Sequence, residues 1–257
     1  MSSTIKSINE TLTKTGRLTH RIIGVYATDA KPAGAVTTAK VITNGGPCLA
    51  KALFKMASRR DTPAIYISED AARESCFGAM AWFGFTAFPL RAELMFASDA
   101  PGEGSMCIKQ TTAMAKATLD DMGRFTPPGK YVVMQALDEI DDRADLKSVL
   151  CFGNAEQIRT LGGLVHFSES KAFTPIIAPW GSGCVNFVAF PAGMASGCPK
   201  DTAILSPFVP EGNIWFPADM LALGIPAAMA RRMADGYESS FAARKPEIAY
   251  VETKEVL

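Results

Sequence analysis

Three of the six cysteines stand where a thiol can do chemistry. They are Cys48 in Gly45-Gly46-Pro47-Cys48, Cys76 in Glu74-Ser75-Cys76-Phe77-Gly78, and Cys184 in Gly181-Ser182-Gly183-Cys184. Each follows a short polar or Gly/Pro break and precedes an apolar segment, as at the mouth of a helix or a tight turn. Unpaired backbone N–H groups and the helix dipole at such places favour the thiolate, which binds soft metals and attacks electrophiles. The bland alternative is strong, because free cysteine is among the most buried residue types. No two cysteines form a C-x-x-C pair, so only tertiary folding can assemble a shared site.

Other residues add less. Residues 172–199 lack any charged side chain and surround Cys184, which reads as core strands joined by loops in a low-dielectric region. Within them, Trp180, Gly181, Ser182 and Gly183 form a turn whose N–H groups could approach a cofactor. The only histidines are His20 and His166, too few for a His-rich metal centre. A Cys–His dyad would require His166, at a helix end, to fold beside one of the three thiols. Asp138, Glu139, Asp141, Asp142 and Asp145 lack calcium-loop spacing and read as a solvated connection. Cys107 and Cys151 read as structural. Cys198, before Pro199, is the best remaining fourth ligand.

Composition bounds the rest. A chain of 257 residues, 48% hydrophobic and 20% charged with no net charge, is an ordered globular protein. Without a basic excess it does not read as a nucleic-acid binder. The N-terminal residues lack the apolar run of a secretory signal and Gly/Pro breaks interrupt the apolar stretches, so a cytoplasmic location and no membrane span are expected. A reducing compartment makes disulfide staples improbable there. Neither a dinucleotide nor a nucleotide-phosphate glycine motif occurs, so no NAD(P) or ATP is expected.

Periodicity predicts mixed elements. Strands are expected at 20–28, 64–67, 131–137, 148–152, 174–178, 203–205 and 213–216. Helices are expected at about 3–16, from 49 to 56, and within 106–122. Asn154-Ala155-Glu156-Gln157 reads as a capping box before Ile158, Leu161 and Val165. Ser68 or Ser75 is expected to cap a helix after the second strand, and the final helices are expected over about 217–244, with Gly224 as a stop. The expected fold is α+β (or α/β), one domain over residues 1–257 with a mixed central sheet flanked by helices.

The chain also resembles the ArCR-like family, a domain of unknown function. The residues carrying the likeness are Pro47-Cys48-Leu49-Ala50, Glu74-Ser75-Cys76-Phe77-Gly78-Ala79 and Pro128-Gly129-Lys130-Tyr131. Cys151-Phe152-Gly153-Asn154-Ala155-Glu156-Gln157, Ala178-Pro179-Trp180-Gly181-Ser182-Gly183-Cys184 and Trp215-Phe216-Pro217-Ala218-Asp219-Met220 continue it. The resemblance implies recurring cysteines at positions 48, 76 and, in one branch, 184, in a family common among anaerobes. It implies no reaction.

Three functions are expected from these readings. The first is an iron–sulfur protein whose Cys48, Cys76 and Cys184 hold a cubane (4Fe-4S) cluster with an open or non-Cys fourth site, serving redox or small-molecule chemistry. The second is a thiol enzyme with Cys76 or Cys184 as nucleophile. The third is a small-molecule binding protein with a pocket near Trp82, Phe83, Phe85 and Phe88. A redox partner or small ligand and a homo-oligomer complete the expectations.

Overall fold

The computed structural model describes residues 3–102, 105–206 and 216–250. Its centre is a seven-stranded sheet in the order β2-β3-β1-β4-β7-β6-β5. The strands are β1 (Ile23–Thr28), β2 (Ile65–Ile67), β3 (Tyr131–Ala136), β4 (Asp145–Asn154), β5 (Ile176–Ile177), β6 (Ala203–Ser206) and β7 (Met220–Pro226). Only β5–β6 is parallel, so the sheet is mixed and the fold is α+β, as expected. Helices α1 (Ile5–Gly16), α2 (Thr38–Val41), α3 (Leu49–Ser58), α4 (Phe77–Trp82), α5 (Thr112–Met122), α6 (Ala155–Phe167), α7 (Ala227–Gly236), α8 (Phe241–Arg244) and α9 (Pro246–Ala249) surround it.

Strand alternation sorts the core into two faces. In β4, Val149 and Cys151 join the cluster under α1, α6 and α7, with Ile8, Leu12, Leu161 and Met233. Leu150 and Phe152 point the other way, into the cluster containing Leu53 and Met56 of α3, Trp82 of α4 and Phe187. Cys48, Cys76 and Cys184 all belong to this second face. A smaller group, Tyr66, Tyr131 and Val133, lies at the β2–β3 end.

Local chemistry sets the element ends. Asn154 accepts from Gln157 N–H at 2.9 Å, and Gln157 Oε1 accepts from Asn154 N–H at 2.9 Å, which closes the expected capping box. Gln157 Nε2 also donates to Arg17 O at 2.7 Å, tying the start of α6 to the end of α1. Four readings of the sequence need correction. Met220–Pro226 is a strand, not a helix: it lies between β4 and β6, with Leu223 opposite both Cys151 and Leu205. Gly224 is therefore no helix stop; Pro191 Cγ lies 2.7 Å from where its Cβ would be. Residues 185–189, read as core strand, form a buried π-helical turn. The serine expectation holds only for position: Ser68 stands at the N-cap of the 3-10 helix Glu69–Glu74 after β2, but its hydroxyl turns to Asp70, while Ser75 Oγ donates to Ala71 O at 2.9 Å and Cys76 occupies the cap of α4.

The acidic connection does more than meet solvent. Asp138 and Glu139 hold the largely buried Arg21 at 2.6 and 2.5 Å, and Asp142 accepts from Ile5 N–H at 2.6 Å. The expected strand at 213–216 falls almost wholly outside the described residues. Among the described residues no helix is long and apolar enough to cross a membrane.

The capping box yields a stability test. Asn154→Ala should destabilise the protein by about 1 kcal/mol, read as a lower urea midpoint at unchanged slope. An unchanged midpoint would show that the junction of α1 and α6 holds without the cap.

Candidate thiol site

Cys48, Cys76 and Cys184 cap three successive pieces of one core face: α3, α4 and the π-helical turn Val185–Ala189. Positions 108 residues apart in the chain are brought into contact, with Cys76 Sγ 3.7 Å from Cys184 Sγ. Cys76 is half-buried, while Cys184 is buried at 6% exposure. Cys48 is half-buried and close enough for its charge state to be felt by both.

The pair shares a proton unequally. The hydrogen bond from Cys184 favours the Cys76 thiolate most, against burial, and backbone N–H groups of Leu49, Ala79 and Gly78 add to it; the Cys76 pKa falls to about 6. Cys184 moves in the opposite direction, well above the ordinary thiol range, because it gives its proton to that hydrogen bond and is buried. Burial also pushes Cys48 up, opposed by N–H groups of Lys51 and Ala50. A thiolate at Cys76 beside a neutral thiol at Cys184 is the arrangement that burial requires. Backbone amides at the starts of α3 and α4 add to the control that the sulfur pair exerts on itself.

The supports of Cys76 come from far along the chain. Thr38, fully buried at the start of α2, accepts from Cys76 N–H at 2.9 Å and donates to Glu74 O at 3.3 Å. Thr37 Oγ1 adds a bond to Glu74 Oε2 at 3.0 Å. Lys55 of α3 donates to Val41 O at 3.0 Å and so ties α2 to α3. Thr38 was missed in the sequence, where it sits in a turn-rich stretch with no motif. Only the fold shows its hydroxyl bridging the two backbone groups.

The turn Trp180–Gly183 is packed against its own helix. Gly181 O accepts from Asn186 Nδ2 at 3.0 Å, and Ser182 O accepts from Val185 and Asn186 N–H at 3.1 and 3.0 Å. A Cβ on Gly181 would lie 2.5 Å from Val185 Cγ1, so the glycine permits this close packing. Trp180 meets Phe96 edge-on at 5.1 Å, with Lys109 Nζ 4.9 Å above its ring.

The remaining candidates lie elsewhere. Cys151 is buried in β4 on the opposite face, its pKa pushed up to about 12 by burial. Cys198 rises to about 11 for the same reason, and its sulfur faces the Phe190 and Pro199 carbonyls. Cys107 is exposed. His166 is exposed at the end of α6, which covers the other face of the sheet, so a dyad with the three thiols does not form. His20 packs on Phe54, ring centroids 5.5 Å apart. Trp82 and Phe83 are core residues, and Trp82 meets Phe88 and Phe125 edge-on.

A single tetrahedral ion with sulfur bonds of about 2.3 Å spaces its ligands roughly 3.8 Å apart, close to the observed pair, whereas ligands on separate irons of a cubane lie about 6–7 Å apart. The Cys76–Cys184 pair would have to open to hold a cubane. Among the described residues, no group of three or more His, Cys, Asp or Glu side chains is arranged to hold a metal ion.

Thr38 gives a prediction that a purely structural role would not. Thr38→Val leaves the buried Cys76 N–H unpaired and lets the α4 entry shift, so the thiolate titration of Cys76 should move above pH 6, while Thr38→Ser restores it. The thiolate's ultraviolet absorbance against pH reads this, and equal midpoints in all three proteins would refute it.

The chain matches the family described as Uncharacterised ArCR over residues 11–236, a span that holds all three thiols and every strand among the described residues. No curated protein and no solved structure matches it. The protein belongs to the ArCR family, a domain of unknown function.

Proposed function

We propose that this protein is a cytoplasmic thiol–disulfide enzyme in which Cys76 is the nucleophile and Cys184 resolves. The observation that carries the reading is the 3.7 Å pair, with Cys76 partly buried and Cys184 buried. Attack on a disulfide requires a thiolate and, once that is formed, no general base. Acyl transfer would call for a positioned base such as histidine, and His166 faces away.

Cys76 thiolate attacks one sulfur of R–S–S–R′, forming the Cys76–S–S–R mixed disulfide and expelling R′S⁻. Cys184 sulfur then attacks Cys76 Sγ, closing the Cys76–Cys184 bond and expelling RS⁻, while the Cys184 proton passes to a leaving thiolate. The substrate gains two electrons and the protein dithiol loses them. A reducing redox partner would restore the dithiol. The amides of Leu49, Gly78 and Ala79 hold negative charge on Cys76 before attack.

A second reading rests on Cys48. Its closeness to the pair supports a three-thiolate iron–sulfur site, in which the amides of Leu49, Ala50, Lys51, Gly78 and Ala79 would hydrogen-bond sulfur. Such a cluster supplies one-electron transfer or a Lewis-acidic iron. The thiol reading needs smaller movements of the pair.

Two measurements separate these readings. In a Cys107→Ala background, which removes the exposed thiol, Cys76 alkylation should rise with pH through about 6 and level off above it, because a depressed pKa makes the thiolate the resting form at neutral pH. Cys184→Ala should move that midpoint toward the ordinary thiol value of about 8.5. A midpoint near 8.5 in both proteins would sink the nucleophile assignment. Anaerobic purification with iron and sulfide analysis supplies the other arm: stoichiometric iron and sulfide, lost in Cys48→Ala, would replace the thiol reading with the cluster.

A further inference from the structure

A cavity of about 310 Å³ opens beside the turn that leads to Cys184. Its walls are Met122, Ile177, Pro179, Trp180, Phe190 and Pro199, and its volume lies at the small end of ligand pockets. The polar side chains on it are Thr118 and Asp121 of α5 and Cys198.

The hydrogen-bond donors of this lining are already spent. Thr118 Oγ1 donates to Met114 O at 2.9 Å, and the Cys198 thiol turns to the Phe190 and Pro199 carbonyls. Pro179 and Pro199 have no N–H. The N–H groups of Phe190, Gly197 and Cys198 go to Val185, Met122 and Ala195 carbonyls at 2.9, 3.0 and 3.2 Å. Trp180 keeps an unpartnered indole N–H, but that nitrogen is fully covered and meets no occupant. What remains open to a ligand accepts: the Asp121 carboxylate and the lone pairs of Thr118.

Electrostatics point the same way. The last turn of α5 carries Asp120 and Asp121 and no basic residue, where the negative end of the helix dipole opposes carboxylates and favours cations. Lys116 answers Asp120 at 2.6 Å. Among the described residues the Asp121 carboxylate has no ion pair, and it stands exposed at the rim of the cavity. A local rule broken with no compensation inside the chain is the mark of a functional place. An inorganic divalent ion would need several oxygen ligands, and apolar walls offer it none. A protonated amine on an apolar body uses both the carboxylate and the walls.

We infer that this cavity binds a small primary ammonium with an apolar body. The ammonium donates to Asp121 and Thr118 at the end of α5, and the body packs on Ile177, Pro179, Trp180 and Phe190. The site does not depend on the reaction proposed for Cys76 and Cys184.

The test titrates the reduced full chain at neutral pH with phenethylammonium and, separately, with phenethyl alcohol, which has the same shape and no charge. Calorimetry gives the affinities, and methyl resonances of Met122 and Ile177 locate the ligand. Phenethylammonium should shift both methyls and bind about fivefold tighter than the alcohol. Asp121→Asn, at an exposed position, should keep the parent's circular dichroism, weaken the ammonium about fivefold and leave the alcohol unchanged. Asp120→Asn, off the cavity, should change neither affinity by more than about twofold. Equal affinity of the two compounds for the parent, or an ammonium affinity that Asp121→Asn leaves unchanged, would overturn the charge recognition. Methyls of Met122 and Ile177 that stay unmoved at millimolar phenethylammonium would overturn the site itself.

Discussion

The contact between Cys76 and Cys184 sets the terms for everything around it. Two sulfurs 3.7 Å apart on the apolar side of a sheet cannot both be charged, and the more buried one keeps the proton. That asymmetry makes one thiol a nucleophile and the other its partner. It depends on three chain segments meeting at one place, with the starts of α3 and α4 presenting N–H groups toward sulfur. A shift of either helix entry would remove the donors and return Cys76 toward the behaviour of an ordinary buried thiol.

The two faces of the sheet divide the work. Beneath α1, α6 and α7 the packing is aliphatic and closed, and the Arg21–Asp138–Glu139 cluster and the Asn154 cap fix how those helices meet the strands. The other face is richer in aromatic side chains and carries the thiols. Phe152 reaches it from β4 and meets Phe187 edge-on at 5.4 Å, linking the central strand to the π-helical turn that follows Cys184. The charge balance there is set by the sulfur pair and by backbone amides, with no cationic side chain among the causes that lower Cys76. Dipoles fixed by helix geometry keep their orientation in a low-dielectric setting, where a mobile ion pair would first have to be desolvated.

Sequence reasoning went astray where local signals were right in type but wrong in scale. Pro217 and Gly224 are helix punctuation on most chains, yet Met220–Pro226 gains more by pairing on both edges and burying Ala222, Leu223 and Ile225. The charge-free stretch around Cys184 did signal burial, but periodicity alone cannot tell a short buried strand from a buried helical turn. The acidic run looked solvated because its cation, Arg21, lies 117 positions away from Asp138.

Local chemistry written into the chain was enough for the mixed α+β class, the capping box of α6, and the three cysteines at element starts, because propensity, capping and N-terminal breaks act over a few neighbouring residues. Convergence of Cys76 with Cys184 and the bridging role of Thr38 were decided by tertiary structure alone. Each depends on distances between segments tens of residues apart, and such distances exist only once the sheet has set the order of its strands.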